Sequence, residues 1–279
     1  MSQQPARPDY SGPGKSDING TSLEGKIALI TGAARAIGRA TALRLSRQGA
    51  TLAVHYRTNA ELAESLASAI RAENRKVLLV QGDVTEESQV KSIVAQVNDK
   101  LGPVDILVNN AASFYPGELA DFKESEMDSM WRTNVIGPVH LIRLVVEGMK
   151  ERRSGRIVNI TSAAGLGTSI TGTTFYSATK AALAMLTRRF AMELGPYGIT
   201  VNAVSPGFIP TEASLAGRTG QVAQERIDMF TSRSMLRRVG TPEDIAYAVS
   251  FLVAPAAGFI TAQVLSIDGG RMDFITHAG

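Results

Sequence analysis

Cysteine is absent from all 279 residues, which excludes a disulfide framework, a thiol nucleophile and any thiolate metal site. Histidine is nearly as scarce: His55, His140 and His277 stand far apart, without the spacing of metal ligands, so no metal is expected. Neither charge sign dominates, with 29 Lys and Arg against 26 Asp and Glu and a net charge of +3. Basic residues cluster only briefly, in pairs such as Arg152-Arg153 and Arg237-Arg238, so a nucleic-acid surface is not expected. No apolar run approaches the ~18 residues needed to span a bilayer, and the N-terminus carries no apolar signal core. The reading therefore expects a cytoplasmic protein without a membrane partner. With no redox-active side chain, any redox chemistry must come from a bound cofactor.

What is present is an alternation. Residues 1–24 are rich in Pro, Gly, Ser, Asp and Gln, bury little apolar surface and are expected to form a mobile extension. From residue 25 to 279 one domain is expected. Apolar, β-branched runs recur at Lys26–Ile30, Leu52–Tyr56, Val77–Gln81, Ile106–Asn109, Ile157–Thr161, Thr200–Val204 and Gln263–Ile267. Between them, apolar residues at three- and four-residue intervals predict helices over Arg39–Gln48, Glu61–Arg71, Glu86–Asp99, Glu124–Glu151, Phe175–Leu194 and Pro242–Leu252. Alternating strand and helix predicts an α/β fold: a parallel sheet covered on both faces, with ligands outside the carboxyl ends of its strands.

Two local patterns carry chemistry. The first strand runs into Thr31-Gly32-Ala33-Ala34-Arg35-Ala36-Ile37-Gly38 and then a helix, so small residues permit close backbone approach and the helix N-terminus offers free N–H groups to a pyrophosphate. The second pattern is Tyr176-Ser177-Ala178-Thr179-Lys180. Positions i and i+4 share a helix face, so the Lys180 ammonium is expected to lower the Tyr176 pKa from about 10 and make the phenol an acid or base near neutral pH.

Taken in order, Thr31-Gly32-x-x-x-x-x-Gly38, Asn109-Asn110-Ala111, Ser162, Tyr176-x-x-x-Lys180 and Pro206-Gly207 resemble the short-chain dehydrogenase/reductase family over roughly residues 24–271. The likeness implies a single Rossmann-type doubly wound sheet. This chain departs in having Ala36 and Ala112 where the family usually has glycine, and in a loop Ala163–Thr174 one residue longer than is commonest. By the resemblance, Tyr176 exchanges the proton, Lys180 bonds the nicotinamide ribose, Ser162 polarises the carbonyl, and Asn134 holds a water that completes a proton relay. Gly32, Ile37 and Gly38 line the dinucleotide turn, Asp83 and Val84 frame the adenine, Asn109 and Ala111 approach the adenosine ribose, and Pro206, Gly207, Ile209 and Thr211 meet the carboxamide end. Where an NAD-preferring unit places an acid after its second strand, this chain reads His55-Tyr56-Arg57-Thr58-Asn59. With no acid there, Arg57 and Arg35 are expected to clamp a 2′-phosphate, which favours NADP(H) over NAD(H).

The resemblance implies hydride transfer between nicotinamide and a carbonyl or secondary alcohol, with reduction of a ketone or 3-oxoacyl thioester first in order. An alcohol or sugar dehydrogenase follows, then a pteridine reductase, to which Asn110–Pro116 is similar, and then a non-catalytic dinucleotide sensor. Residues 208–238 lie where the family keeps its substrate lid, with Gly217, Thr219 and Gly220 permitting flexure. The long apolar helices around Glu124–Glu151 and Phe175–Leu194, including Val135, Val139, Ile142, Val146, Ala181, Leu183, Met185 and Phe190, lead to the expectation of a homotetramer.

Overall fold

In the computed structural model, which describes residues 20–167, 170–215 and 218–272, the expected alternation is present almost element for element. The strands are β1 (Ile27–Ile30), β2 (Thr51–Tyr56), β3 (Val77–Gln81), β4 (Ile106–Asn109), β5 (Gly155–Ile160), β6 (Ile199–Pro206) and β7 (Val264–Ile267). The helices are α1 (Ala36–Arg47), α2 (Ala60–Ala72), α3 (Glu87–Lys100), α4 (Glu124–Trp131), α5 (Gly137–Glu151), α6 (Thr174–Leu194), α7 (Glu212–Leu215), α8 (Gly220–Ser232) and α9 (Pro242–Val253). All seven strands pair in parallel in the order β3-β2-β1-β4-β5-β6-β7. The order reverses between β1 and β4, and such a switch point opens a crevice beyond the strands' carboxyl ends.

Strand periodicity decides which core each residue joins. Ala28 and Ile30 of β1 pack on one face with Leu45, Leu66 and Val249 from α1, α2 and α9. Leu29 points the other way, to Val94, Leu141 and Leu194 from α3, α5 and α6. β4 repeats the pattern, with Ile106 and Val108 on the first face and Leu107 on the second, as a period of two requires.

Three expectations change. The extension ends earlier than residue 24: Leu23 is buried and its N–H donates to Gln48 O at 2.8 Å, while Gly20 O accepts from Ala256 N at 3.2 Å. Residues 1–19 lie outside the described residues. The helix expected over Glu124–Glu151 is interrupted by a π turn at Arg132–Ile136. Pro138 supplies the reason, because it has no N–H to give the carbonyl of Asn134 and the ladder shifts register, with Gly137 N donating back to Arg132 O. Finally, Val135, Ile142, Val146 and Leu183, counted in an apolar content beyond what one sheet face needs, are buried within the chain, Ile142 and Val146 in the core that covers the sheet.

The apolar residues left exposed fall elsewhere. α6 presents Met185 and Met192, and a second patch combines Tyr247 and Phe251 of α9 with Leu265 of β7 and Phe259, which is 94% exposed. The lid region holds α7 and α8, and Gly217 lies outside the described residues. No helix among the described residues is long and apolar enough to cross a membrane.

Candidate active site

The strand ends are stitched together by side chains before any ligand is considered. Thr31 Oγ1 accepts from the N–H groups of Asn110 and Ala111 at 2.9 and 3.0 Å, tying the end of β1 to the loop after β4. Asn110 Nδ2 returns to Thr31 O and Gly32 O at 2.9 and 3.0 Å. His55, buried at the end of β2, accepts from Gly32 N at Nδ1 (3.1 Å) and faces Gly82 O with Nε2 at 2.9 Å. An acceptor at Nδ1 leaves Nε2 as the protonated nitrogen, and burial lowers the pKa of the ring. His55 is thus a neutral brace between the loops after β1 and β3. The motifs contain Thr31 and Asn110 without showing these bonds, and they give His55 no role, because each acts across loops distant in sequence.

The glycine-rich turn fits a dinucleotide pyrophosphate on three counts. Gly32 has φ +60°, and a Cβ there would stand 3.0 Å from Ala111 Cα. A Cβ on Gly38 would stand 2.5 Å from Gly32 O and 2.7 Å from Asn110 Nδ2, so only glycine lets α1 approach this closely. No side chain caps the start of α1 and no acid lies in its first turn, which leaves the N–H groups and positive dipole end for an anion. Ala36 holds φ +48°, a conformation costly for any residue with a Cβ.

The other expected cofactor residues divide. Ile37, Pro206, Gly207, Ile209 and Thr211 line one cavity of about 580 Å³ together with Ser162, Tyr176 and Lys180. Gly207 is held by Ile267 O at 2.9 Å, and Thr211 and Ser214 exchange hydrogen bonds at the head of α7. Tyr56 closes β2, and its carbonyl accepts from Gly82 N at 3.1 Å. Val84 is buried, and a Cβ on Gly137 would stand 3.1 Å from it. Asp83 Oδ1 accepts from Thr85 N at 2.9 Å, and its Oδ2 lies 3.6 Å from Arg57. Asn109, expected beside the adenosine ribose, turns its side chain inward instead: Nδ2 donates to Asn159 Oδ1 at 2.8 Å in a buried chain that ends on Thr187. The two arginines expected to clamp a phosphate each face a carboxylate, Arg57 with Asp83 and Arg35 with Glu212 at 3.0 Å. All four side chains are at least partly exposed, so these pairs are weakly held and open to exchange.

At the cavity floor, α6 and the end of β5 bring together Ser162, Tyr176 and Lys180, while Asn134, the fourth residue expected to be catalytic, lies in the π turn and does not line the cavity. Lys180 is only 2% exposed, and Nζ donates to Ile160 O at 2.9 Å. Close packing makes this possible, since a Cβ on Gly165 would stand 2.7 Å from the Lys180 carbonyl carbon. Nζ lies 5.7 Å from the Tyr176 ring centroid, and burial pulls the lysine down to about 8. The same burial pushes the Tyr176 phenol up to about 12, with the Ser162 hydrogen bond acting in the opposite direction. This reverses the expectation that Lys180 alone would lower the phenol: at this separation desolvation outweighs charge. The phenol therefore carries its proton at neutral pH. Phe114 packs edge-on to Tyr176 with centroids 5.1 Å apart. Asn134 is fully buried in the π turn, where Oδ1 accepts from Ser113 N at 2.9 Å and Nδ2 donates to Ser113 O and Thr179 Oγ1 at 2.9 and 3.0 Å. Thr179 Oγ1 in turn donates to Tyr176 O at 2.8 Å, so Asn134 fixes the first turn of α6.

Comparison with known proteins decides the family. A family model described as enoyl-(acyl carrier protein) reductase matches residues 32–271. A 3-oxoacyl-[acyl-carrier-protein] reductase of Staphylococcus epidermidis is 38% identical over 246 residues, covering 88% of this chain and 98% of that protein. The chain is a short-chain dehydrogenase/reductase. Within the family it is also similar to 2,3-dihydro-2,3-dihydroxybenzoate dehydrogenase of Bacillus subtilis, at 38% identity over 91% of this chain and 98% of that protein. Among solved structures, a 7α-hydroxysteroid dehydrogenase complexed with NADH and 7-oxo glycochenodeoxycholic acid matches with TM-score 0.85 and 33% identity, covering 90% of this chain and 96% of that one. A metagenomic blue fluorescent protein in complex with NADPH matches with TM-score 0.82 and 34% identity, over 92% of this dehydrogenase/reductase and all of that chain.

The two small-residue positions of the turn are expected to respond oppositely. Ala36→Gly relieves a left-handed alanine and stabilises the protein by about 1 kcal/mol, measured as a higher urea midpoint. Gly38→Ala forces α1 away from Gly32 and weakens dinucleotide binding by at least about tenfold, measured by fluorescence titration. A lower urea midpoint for Ala36→Gly, or unchanged affinity for Gly38→Ala, contradicts this geometry.

Proposed function

We propose that this chain is an NADP(H)-dependent reductase of a ketone, a 3-oxoacyl thioester being the first substrate class to test. The observation that carries the reading is a tyrosine phenol, protonated at neutral pH, beside a serine hydroxyl and a buried lysine on one cavity floor. A nicotinamide bound there supplies or accepts hydride. Ser162 donates to the carbonyl oxygen as its negative charge grows, and Tyr176 transfers its proton to that oxygen while the carbonyl carbon is reduced. Lys180, with one donor on Ile160 O, keeps others for the nicotinamide ribose and for the phenolate left behind. Asn134 positions α6, and its carbonyl, deprived of a helical donor by Pro138, holds the water through which the phenolate regains a proton. A phenol that keeps its proton at neutral pH is in the state that the reduction step needs. The name of the staphylococcal relative supports the thioester. Phe114 is occupied edge-on with Tyr176, which gives the pterin reading no support.

The similar solved structures include complexes with NADH and with NADPH, and the residues after β2 favour the second. No acid follows Tyr56, and Arg57 leaves Asp83 for the stronger charge of a 2′-phosphate, with Arg35 exchanging Glu212 in the same way. We also propose a homotetramer, built through the exposed methionines of α6 and the Tyr247, Phe251, Phe259 and Leu265 patch.

Three outcomes follow. Tyr176→Phe binds NADPH as the wild type does but loses at least about 10²-fold in kcat on a ketone substrate, and full turnover in that variant would remove Tyr176 as the proton donor. Arg57→Ala raises the Kd for NADPH by at least about tenfold while leaving that for NADH nearly unchanged, as titration at fixed salt will show; equal losses, or a wild-type preference for NADH, would remove the NADP(H) assignment. Light scattering on the eluting protein gives a mass of four chains. A monomer at micromolar concentration sinks the assembly.

A further inference from the structure

Of the four cations among the described residues that line the catalytic cavity, Arg226 stands outside both the cofactor clamp and the proton chemistry. Arg226, on the inner face of α8, lines the cavity along with Phe208, Phe230 and Tyr176. Its guanidinium sits 5.5 Å from the Phe208 ring centroid and 5.3 Å from that of Phe230, and the two rings are stacked at 3.9 Å. The stack therefore buttresses the base of the side chain. Arg226 makes no ion pair or hydrogen bond with any described residue, and its Nε is buried without a partner. The other cations around the cavity differ: Arg35 faces Glu212, and Lys180 bonds Ile160 O. None of the described residues lining the cavity is Asp or Glu. The acids of α8 itself are engaged outward, Glu225 with Gln221 and Asp228 with Gln224.

A buried guanidinium donor without an acceptor is costly, and the nearby Arg218 adds repulsion rather than relief, as the lowered pKa of Arg226 reflects. No carboxylate among the described residues of the cavity offsets that cost, and an anion that arrives there would do so. We propose that Arg226 is a specificity-determining residue for an anionic substrate: a ketone that carries a carboxylate or phosphate group, bound by the guanidinium while its carbonyl lies against Ser162 and Tyr176. The planar fork of arginine suits either anion bidentately. Arg271 also lines the cavity and lies 5.6 Å from the Phe230 centroid. The proposal rests on the reductase reading and narrows it to charged substrates.

Two matched pairs separate the sources of charge: 4-acetylbenzoate against its methyl ester, and the acetoacetyl thioester of pantetheine with and without its terminal phosphate. With NADPH, the wild type is expected to prefer the anionic member of one pair by at least about tenfold in kcat/KM, and Arg226→Leu to bring that ratio near unity through KM rather than kcat. Arg226→Lys keeps most of the preference. Discrimination in the first pair identifies a carboxylate, and in the second a phosphorylated carrier. Equal rates for both members of each pair in the wild type, or a loss in Arg226→Leu that appears instead in the KM for NADPH, would overturn the proposal. If no member of either pair is reduced, the reductase reading fails, and calorimetry on the NADP-loaded protein decides the anion site separately. Binding of 4-acetylbenzoate or phosphopantetheine that disappears in Arg226→Leu upholds it, and no binding to the wild type refutes it.

Discussion

Burial of Lys180 is the constraint on which the site depends. An ammonium with no carboxylate beside it is held in the core by one strand-end carbonyl, Ile160 O, at 2.9 Å, and such an arrangement is costly unless the surroundings fix it. They do so through close packing. Gly165 brings the short helix after Ser162 against the α6 backbone, Asn134 and Thr179 hold the first turn of α6, and Asn159 and Thr187 tie its middle to β5. With α6 fixed in this way, Tyr176 has one place to go, against Ser162 and under Phe114. The pair is tuned by desolvation in opposite directions, the phenol toward its neutral form and the lysine toward about 8.

The second half of the site follows from the sheet. Because strand order reverses between β1 and β4, the loops after these strands diverge and must be rejoined by side chains. Thr31 and Asn110 do this with hydrogen bonds of 2.9 to 3.0 Å, and His55 braces the loops after β1 and β3 at 3.1 and 2.9 Å. The glycine-rich turn is thereby shaped from behind by neutral groups, while its front, the uncapped start of α1, stays open to an anion. A positively charged His55 would lose the bond from Gly32, which links the neutrality of a buried ring to the form of the cofactor turn.

Much of this was legible in the chain. Strand and helix periods placed every strand and nearly every helix, because both faces of the sheet are buried and the apolar pattern is strong. The π turn was missed although Pro138 announces it, since a proline near a helix break is invisible to a count of apolar spacings. The direction of the Tyr176 shift was misjudged because i, i+4 spacing reports proximity and says nothing of depth. The partners of Arg35, Arg57 and Asn109 lie 26 to 177 residues away, beyond any local pattern. Arg226 belongs to no motif, and it stands out only because none of the described residues lining the folded cavity is a carboxylate.

The account's central claim is that depth, and not the lysine charge, sets the Tyr176 proton. It is tested most directly by carbon-13 NMR of the protein labelled at tyrosine Cζ, titrated from neutral to alkaline pH, with Tyr176→Phe identifying the resonance. The account predicts a phenol still protonated past pH 10, where an ordinary tyrosine is half ionised at about 10. A Tyr176 resonance that titrates below about 9, well under that ordinary value, would contradict it and return control of the proton to Lys180.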